Sequence, residues 1–173
     1  MPTKQLKALI RDVPDFPKPG ILFKDITPLL RDPAGLALAV ELMANPFRGA
    51  GITAVAGAES RGFIFGTAVA QALSCGFVPI RKKSKLPPPV KSVTYALEYG
   101  TDTLEIRDDA VRAGQRVLMV DDLLATGGTM AACVQLMKSL GAEVVGATVL
   151  IELVGLQGRK ALPGLEVHAP ITY

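Results

Sequence analysis

Two periodicities organise the hydrophobic positions of this chain. Residues 52–56, 77–80, 116–120 and 144–152 are short apolar runs without a polar face, which predicts strands covered on both sides. Between them apolar residues recur at helical spacing, first over residues 63–73. A second such stretch starts at Met130: Cys133, Leu136, Met137 and Leu140 fall at i, i+3, i+4 and i+7, and Gly141 ends it as the residue after the C-cap. Residues 4–13 place Leu6, Leu9, Ile10 and Val13 on one side of a short amphipathic helix. Asp32 and Pro33 supply the N-cap and first position of a helix reaching about residue 45. Residues 14–19 are punctuated by prolines and predicted to be extended. Residues 93–99 and 103–106 read as a hairpin. Residues 82–89, with three lysines, a serine and three prolines, belong outside the core. Strands alternating with helices predict a single α/β domain, a mostly parallel twisted sheet flanked by helices on both faces.

Composition narrows the function classes. A length of 173 residues suits one domain with a real core, and 49% hydrophobic residues with only 5% aromatic is an aliphatic, globular balance. A net charge of +3 is too small for a protein that tracks nucleic acid broadly. Lys4 and Lys7 interrupt the N-terminal apolar residues, so no signal peptide is expected. The most apolar stretch, residues 144–151, is too short to cross a bilayer. Cys75 and Cys133 lack metal-ligand spacing and read as reduced thiols of a cytoplasmic protein, with no disulfide.

The chemistry concentrates in residues 117–129, Val-Leu-Met-Val-Asp-Asp-Leu-Leu-Ala-Thr-Gly-Gly-Thr. A buried strand leads into two carboxylates, then a loop of small residues, then a helix. Gly127 and Gly128 can take positive φ, so successive N–H groups of residues 125–129 can turn inward as an anion nest, helped by the helix dipole. Thr126 and Thr129 add hydroxyl donors. Asp121 and Asp122 would repel a phosphate and suit hydroxyls or a metal instead. Donors beside acceptors fit a sugar phosphate. The run lacks the Gly-Lys-Ser/Thr ending of a nucleotide-triphosphate loop and the Gly-x-Gly-x-x-Gly of a dinucleotide fold. His168, the single histidine, reads as structural or surface.

Residues 120–129 resemble the phosphoribosyl pyrophosphate signature of the type I phosphoribosyltransferases, and Leu-Leu-Ala after the acidic pair resembles the adenine-specific branch. Residues 15–30, Asp-Phe-Pro-Lys-Pro-Gly-Ile-Leu-Phe-Lys-Asp-Ile-Thr-Pro-Leu-Leu, resemble that branch's base-recognition segment. Glu-Ser-Arg-Gly-Phe at 59–63 and the stretch from Arg81-Lys82 through Pro87, followed by Leu97-Glu98-Tyr99-Gly100, are further matches in order. The resemblance implies a type I phosphoribosyltransferase fold with an N-terminal base-recognition hood over residues 1–35, a flexible catalytic lid over 81–100 and the phosphoribosyl pyrophosphate motif at 117–129.

It also implies roles. The family reaction passes through an oxocarbenium-like transition state and needs positioning, charge neutralisation and water exclusion rather than a covalent nucleophile. Ala125, Thr126, Gly127, Gly128 and Thr129 would hold the 5′-phosphate, and Asp121 and Asp122 the ribose hydroxyls. Ser60 and Arg61 would meet pyrophosphate from a turn that carries a non-proline cis peptide in many relatives, and Arg81 and Lys85 would meet it from the lid. A cation at the helix start opposes the dipole, so an anionic partner for Arg61 would relieve it. Glu98 would serve near the base, as general acid if closure raised its pKa. Phe23 and Leu123 would sandwich the base while the backbone of Leu22 and Lys24 reads its edge. Mg²⁺ would be bound mainly through phosphoribosyl pyrophosphate, with Asp121 and Asp122 as outer-shell candidates and no direct protein ligand. The expected partners are adenine, phosphoribosyl pyrophosphate and a second subunit, without nucleic acid or membrane. Pro87-Pro88-Pro89 departs from the glycine more usual in relatives and implies a stiffer lid stem. The implied activity is transfer of the phosphoribosyl group to adenine, giving AMP and pyrophosphate in purine salvage. Another purine or orotate phosphoribosyltransferase, and a non-catalytic sensor of phosphoribosyl pyrophosphate, stay open as alternatives.

Overall fold

Strand β7 (Arg116–Leu124) positions the site, and its neighbours explain why it is buried. The computed structural model describes residues 2–97 and 100–173. In the main sheet β7 pairs in parallel with β3 (Ala54–Ala58) on one side and β8 (Glu143–Glu152) on the other. Beyond β3 lies β4 (Gly76–Lys82), also parallel. The antiparallel hairpin of β5 (Val90–Ala96) and β6 (Thr101–Arg107) then attaches to the far end of β4. Short β9 (Val167–His168) and β10 (Ile171–Thr172) pair in succession along the outer side of β8.

Side chains of the central strands alternate between two cores. Ala54, Ala56, Val117 and Met119 join the core under α5 (Gly128–Ser139). Val55, Leu118 and Val120 join the opposite core, with α3 (Pro33–Ala44) and α4 (Arg61–Ala72). A parallel strand covered on both faces has no room for polar alternation, which is why these runs read as uniformly apolar. Leu118 and Met119 are at most 1% exposed. Truncating either to Ala should cost about 2–5 kcal/mol through lost burial and the cavity left behind.

The helix starts follow local chemistry. The Asp32 side chain accepts from the Gly35 N–H at 2.6 Å, and Pro33 occupies the first turn of α3. Gly141 has φ +80° just past α5.

The N-terminal segment departs from the expected pattern. The helix stops early, as α1 (Pro2–Ala8), and β1 (Arg11–Pro14) pairs with β2 (Leu22–Asp25) in a separate antiparallel hairpin, Val13 opposite Phe23. The helical spacing of Leu6, Leu9, Ile10 and Val13 outran the helix because strand pairing claims Val13 instead. Pro14 is extended as the end of β1, but residues 15–19 are not: Asp15 has φ +57° and its Oδ1 accepts from Gly20 N–H at 2.7 Å, and the Phe16–Pro17 peptide is cis. Together they form the hairpin's loop. α2 (Thr27–Arg31), which the sequence pattern missed, leads from β2 into α3. This hairpin with α1 and α2, within residues 2–31, occupies the segment expected to form the hood and is called the hood. The segment 81–100 proves to contain the end of β4 and all of β5, which leaves residues 83–89 as the connecting loop.

Candidate active site

The site forms where β7 ends and α5 begins. Strand geometry continues four residues beyond Val120, so Asp121 and Asp122 lie on the strand rather than in the turn after it. A cavity of about 560 Å³ opens there, lined by residues 121–130 together with Glu59, Ser60, Arg61 and Lys82. Gly127 caps α5 in the left-handed region at φ +85°, whereas Gly128 has no positive φ and enters the helix directly. A Cβ on Gly127 would stand 2.3 Å from the Gly158 carbonyl oxygen, so backbone from the β8–β9 connection closes against the loop. Only glycine satisfies both the dihedral and the space. Thr129 Oγ1 shares a hydrogen bond of 3.2 Å with the Tyr95 hydroxyl, tying the start of α5 to β5.

The two carboxylates are placed differently. Asp121 Oδ1 accepts from the Asp122 backbone N–H at 2.8 Å, and a Cβ on Gly62 would lie 3.0 Å from that oxygen, so α4 packs its first turn against Asp121. Burial and then repulsion by Asp122 push the Asp121 carboxyl well above the ordinary carboxylate range. Asp122 is 4% exposed. Its carboxyl is also pushed up by burial, against the opposing pull of Arg61. Arg61 Nε lies 2.9 Å from Asp122 Oδ2, yet that buried oxygen accepts no aligned hydrogen bond. The contact is one of charge rather than an aligned hydrogen bond, and both residues line the cavity. A buried acceptor without a donor is costly unless a ligand supplies one.

Arg61 therefore has its anionic partner within the protein. Its guanidinium also lies 5.2 Å from the centre of the Phe23 ring, linking Asp122 to the hood. Phe23 packs edge-on against Phe16 at 5.1 Å between centroids. The turn before α4 has a cis Glu59–Ser60 peptide.

Several expected residues stand elsewhere. Arg81 does not line the cavity; its Nε bonds Glu59 Oε2 at 2.8 Å. Burial raises the Glu59 carboxyl, but the Arg81 hydrogen bond and the Lys82 N–H outweigh it and hold the group below its ordinary range. Lys85 is exposed on the loop and also outside the cavity lining, while its neighbour Lys82 is inside it. Strand pairing explains the exchange. Arg81 and Lys82 belong to β4, opposite Glu105 and Leu104, so successive side chains point to opposite faces. Glu59 and Lys82 were both within quoted motifs, and the alternation of residues 81–82 was the available signal for the latter. Glu98, with Tyr99, lies outside the described residues.

In the hood, Leu22 and Lys24 border a second, mostly apolar cavity of about 920 Å³ that also touches Ala125 and Thr126. Lys24 is 7% exposed, its ammonium 2.6 Å from Asp12 Oδ1 and 3.7 Å from the centre of the Tyr173 ring. Leu123 lines the cavity at the end of β7 and packs partly into the α3–α4 core. No group of three or more His, Cys, Asp or Glu side chains among the described residues is arranged to hold a metal. Among the described residues no helix is long and apolar enough to cross a membrane.

Comparison with known proteins now decides the family. The phosphoribosyl transferase domain profile matches residues 25–163. The chain is 59% identical over 169 residues to the adenine phosphoribosyltransferase of Methylococcus capsulatus, covering 98% of this chain and 99% of that one. This chain belongs to the adenine phosphoribosyltransferase family. Among solved members, the enzyme from Thermoanaerobacter pseudethanolicus superposes with a TM-score of 0.96 at 48% identity, covering 99% of both chains. The Saccharomyces cerevisiae enzyme, complexed with an imino-altritol bisphosphate and adenine, gives 0.92 at 38% identity over 98% of both chains. The parallel sheet, the glycine-capped corner and the hood are thus an adenine phosphoribosyltransferase family fold throughout.

Proposed function

We propose that this chain transfers the 5-phosphoribosyl group from phosphoribosyl pyrophosphate to adenine, giving AMP and pyrophosphate. The observation that carries the reading is Asp122, a buried carboxylate paired with Arg61 by charge rather than an aligned hydrogen bond, set beside a left-handed glycine corner that lines the same cavity. The corner takes the 5′-phosphate and the carboxylates take the ribose hydroxyls. The C1–oxygen bond to pyrophosphate breaks with its electron pair leaving on oxygen, the adenine nitrogen bonds to C1, and that nitrogen's proton is released. Arg61 and Lys82 line the cavity and meet the departing charge. Phe23 and Leu123 hold the base. Placing pyrophosphate draws Arg61 away from Asp122, which frees that carboxylate for the sugar.

Mg²⁺ fits this donor set as an ion carried by the substrate. One unsatisfied carboxylate oxygen and no three-ligand cluster among the described residues suit outer-shell contact only. When bound, the ion neutralises pyrophosphate charge. We further propose a homodimer, supported by apolar Ile64, Val154 and Leu156 left exposed on the surface. A cytoplasmic location is supported by the free thiols Cys75 and Cys133.

Pyrophosphate release from phosphoribosyl pyrophosphate and Mg²⁺ with a panel of free bases tests the activity. Turnover with adenine alone is expected. Turnover with a 6-oxopurine or orotate would overturn the base assignment, and binding without any turnover would indicate a sensor. Chelation should abolish turnover, and light scattering should give twice the mass of one chain.

A further inference from the structure

We propose that Arg107 is a positioning residue for the pyrophosphate end of the reaction, holding the basic loop of residues 83–89 through the carbonyls of Pro87 and Pro88. The inference rests on the transferase reading above. Prolines donate no N–H, so a proline run contributes no donors to a sheet ladder and its carbonyls must find donors elsewhere. Arg107 Nη1 supplies them, donating to Pro88 O at 2.7 Å and Pro87 O at 3.0 Å. The rest of the guanidinium is committed to Asp109: Nε donates to Oδ1 at 3.2 Å and Nη2 to Oδ2 at 3.1 Å. That two-point grip fixes the plane of the group and leaves Nη1 directed at the loop.

The near end of the loop is held by the same strand. Glu105, two residues before Arg107 on β6 and so on the same face, accepts from the Ser84 N–H at 2.9 Å. Lys83 N–H donates to Thr103 O at 3.2 Å. Lys82, which lines the sugar-phosphate cavity, immediately precedes these anchors, and Lys85 lies between them. A loop tied at both ends to one strand presents its cations as a unit. Releasing the proline end should therefore loosen the loop that follows Lys82, the cation of this stretch that lines the cavity, while leaving the hood untouched.

The test compares Arg107→Ala, Arg107→Lys and Asp109→Asn in the full chain. Arg107→Ala should raise the KM for phosphoribosyl pyrophosphate and weaken pyrophosphate inhibition by about tenfold, with the KM for adenine within about twofold of wild type. Arg107→Lys, unable to grip Asp109 and both carbonyls at once, should recover only part of the loss. Calorimetric titration with pyrophosphate and Mg²⁺ reads the same shift in Kd without turnover. An unchanged Kd and KM in a folded Arg107→Ala chain would overturn the proposal, as would an equal rise in the KM for adenine. If wild type binds pyrophosphate but does not use adenine, the transferase reading fails while the Kd shift still decides the role of Arg107. If Arg107→Ala does not fold by circular dichroism, the Kd of Asp109→Asn decides it: a smaller shift in the same direction supports the proposal, and none overturns it.

Discussion

At the β7–α5 corner the polar groups of the cavity come largely from consecutive residues 121–129, closed from behind by Gly158 and held by backbone geometry. Over it the hood assembles Asp12, Phe23, Lys24, Arg61 and Tyr173 from distant parts of the chain, held by side-chain pairs and ring contacts. The corner is rigid because its dihedrals and close approaches admit few residues. The hood is adjustable because each of its contacts is a side chain that can move. A phosphate is the same in every phosphoribosyl donor, while the base is the variable part of the reaction, and the division of building methods follows that chemistry.

Substitution at each region should sharpen this contrast. The largest effect belongs to Gly127→Ala, which meets both a left-handed φ and the Gly158 carbonyl. It should cost about 2–4 kcal/mol of stability and abolish measurable turnover, read by thermal denaturation and pyrophosphate release. Asp122→Asn keeps the shape of the corner but removes charge and half its acceptors; kcat/KM should fall about a hundredfold with the fold intact. In the hood, Phe23→Ala should raise the KM for adenine by about tenfold and leave phosphoribosyl pyrophosphate binding unchanged, a separation that no corner substitution should produce.

Asp121→Asn should do something no hood variant does, and raise stability. Burial lifts the Asp121 carboxyl above its value in the unfolded chain, so the folded form binds its proton more tightly. That favours folding most below the ordinary carboxylate range, and the contribution is lost as pH rises through the folded pKa. Neutralising the residue should therefore raise Tm at pH 7, with the gain shrinking as pH falls below about 4. Melting curves at the two pH values in metal-free buffer check it. The smallest effect belongs to Asp12→Asn: its partner Lys24 is buried but Asp12 is 55% exposed, so the loss should stay near or below about 1 kcal/mol.

The same contrast governs what could be read from the amino-acid order. Strands β3, β4, β7 and β8, the β5–β6 hairpin, α3, α5 and the glycine corner follow from period, capping and spacing, which are local. Their limits slipped where pairing intervened: β7 ran on through Asp121 and Asp122 because β8 continues beside it as far as Glu152. The hood was misread where Val13 joined a strand, although Pro14 directly after it biases Val13 away from the helix and toward extended backbone. The choice of Lys82 over Arg81 for the cavity depended on which face of β4 each residue takes, and Arg107 carried no motif at all. Asp12, Lys24 and Tyr173 meet only after folding.

The bond between Tyr95 and Thr129 has a practical consequence. The chain contains no tryptophan and three tyrosines, so its near-ultraviolet absorbance and emission come largely from phenol rings. One of those phenols shares its hydroxyl with the first turn of α5. Under the proposed assignment a phosphate at Thr129 competes for that hydroxyl, so tyrosine absorbance and emission should change as the corner fills, readable without a dye or a coupled assay.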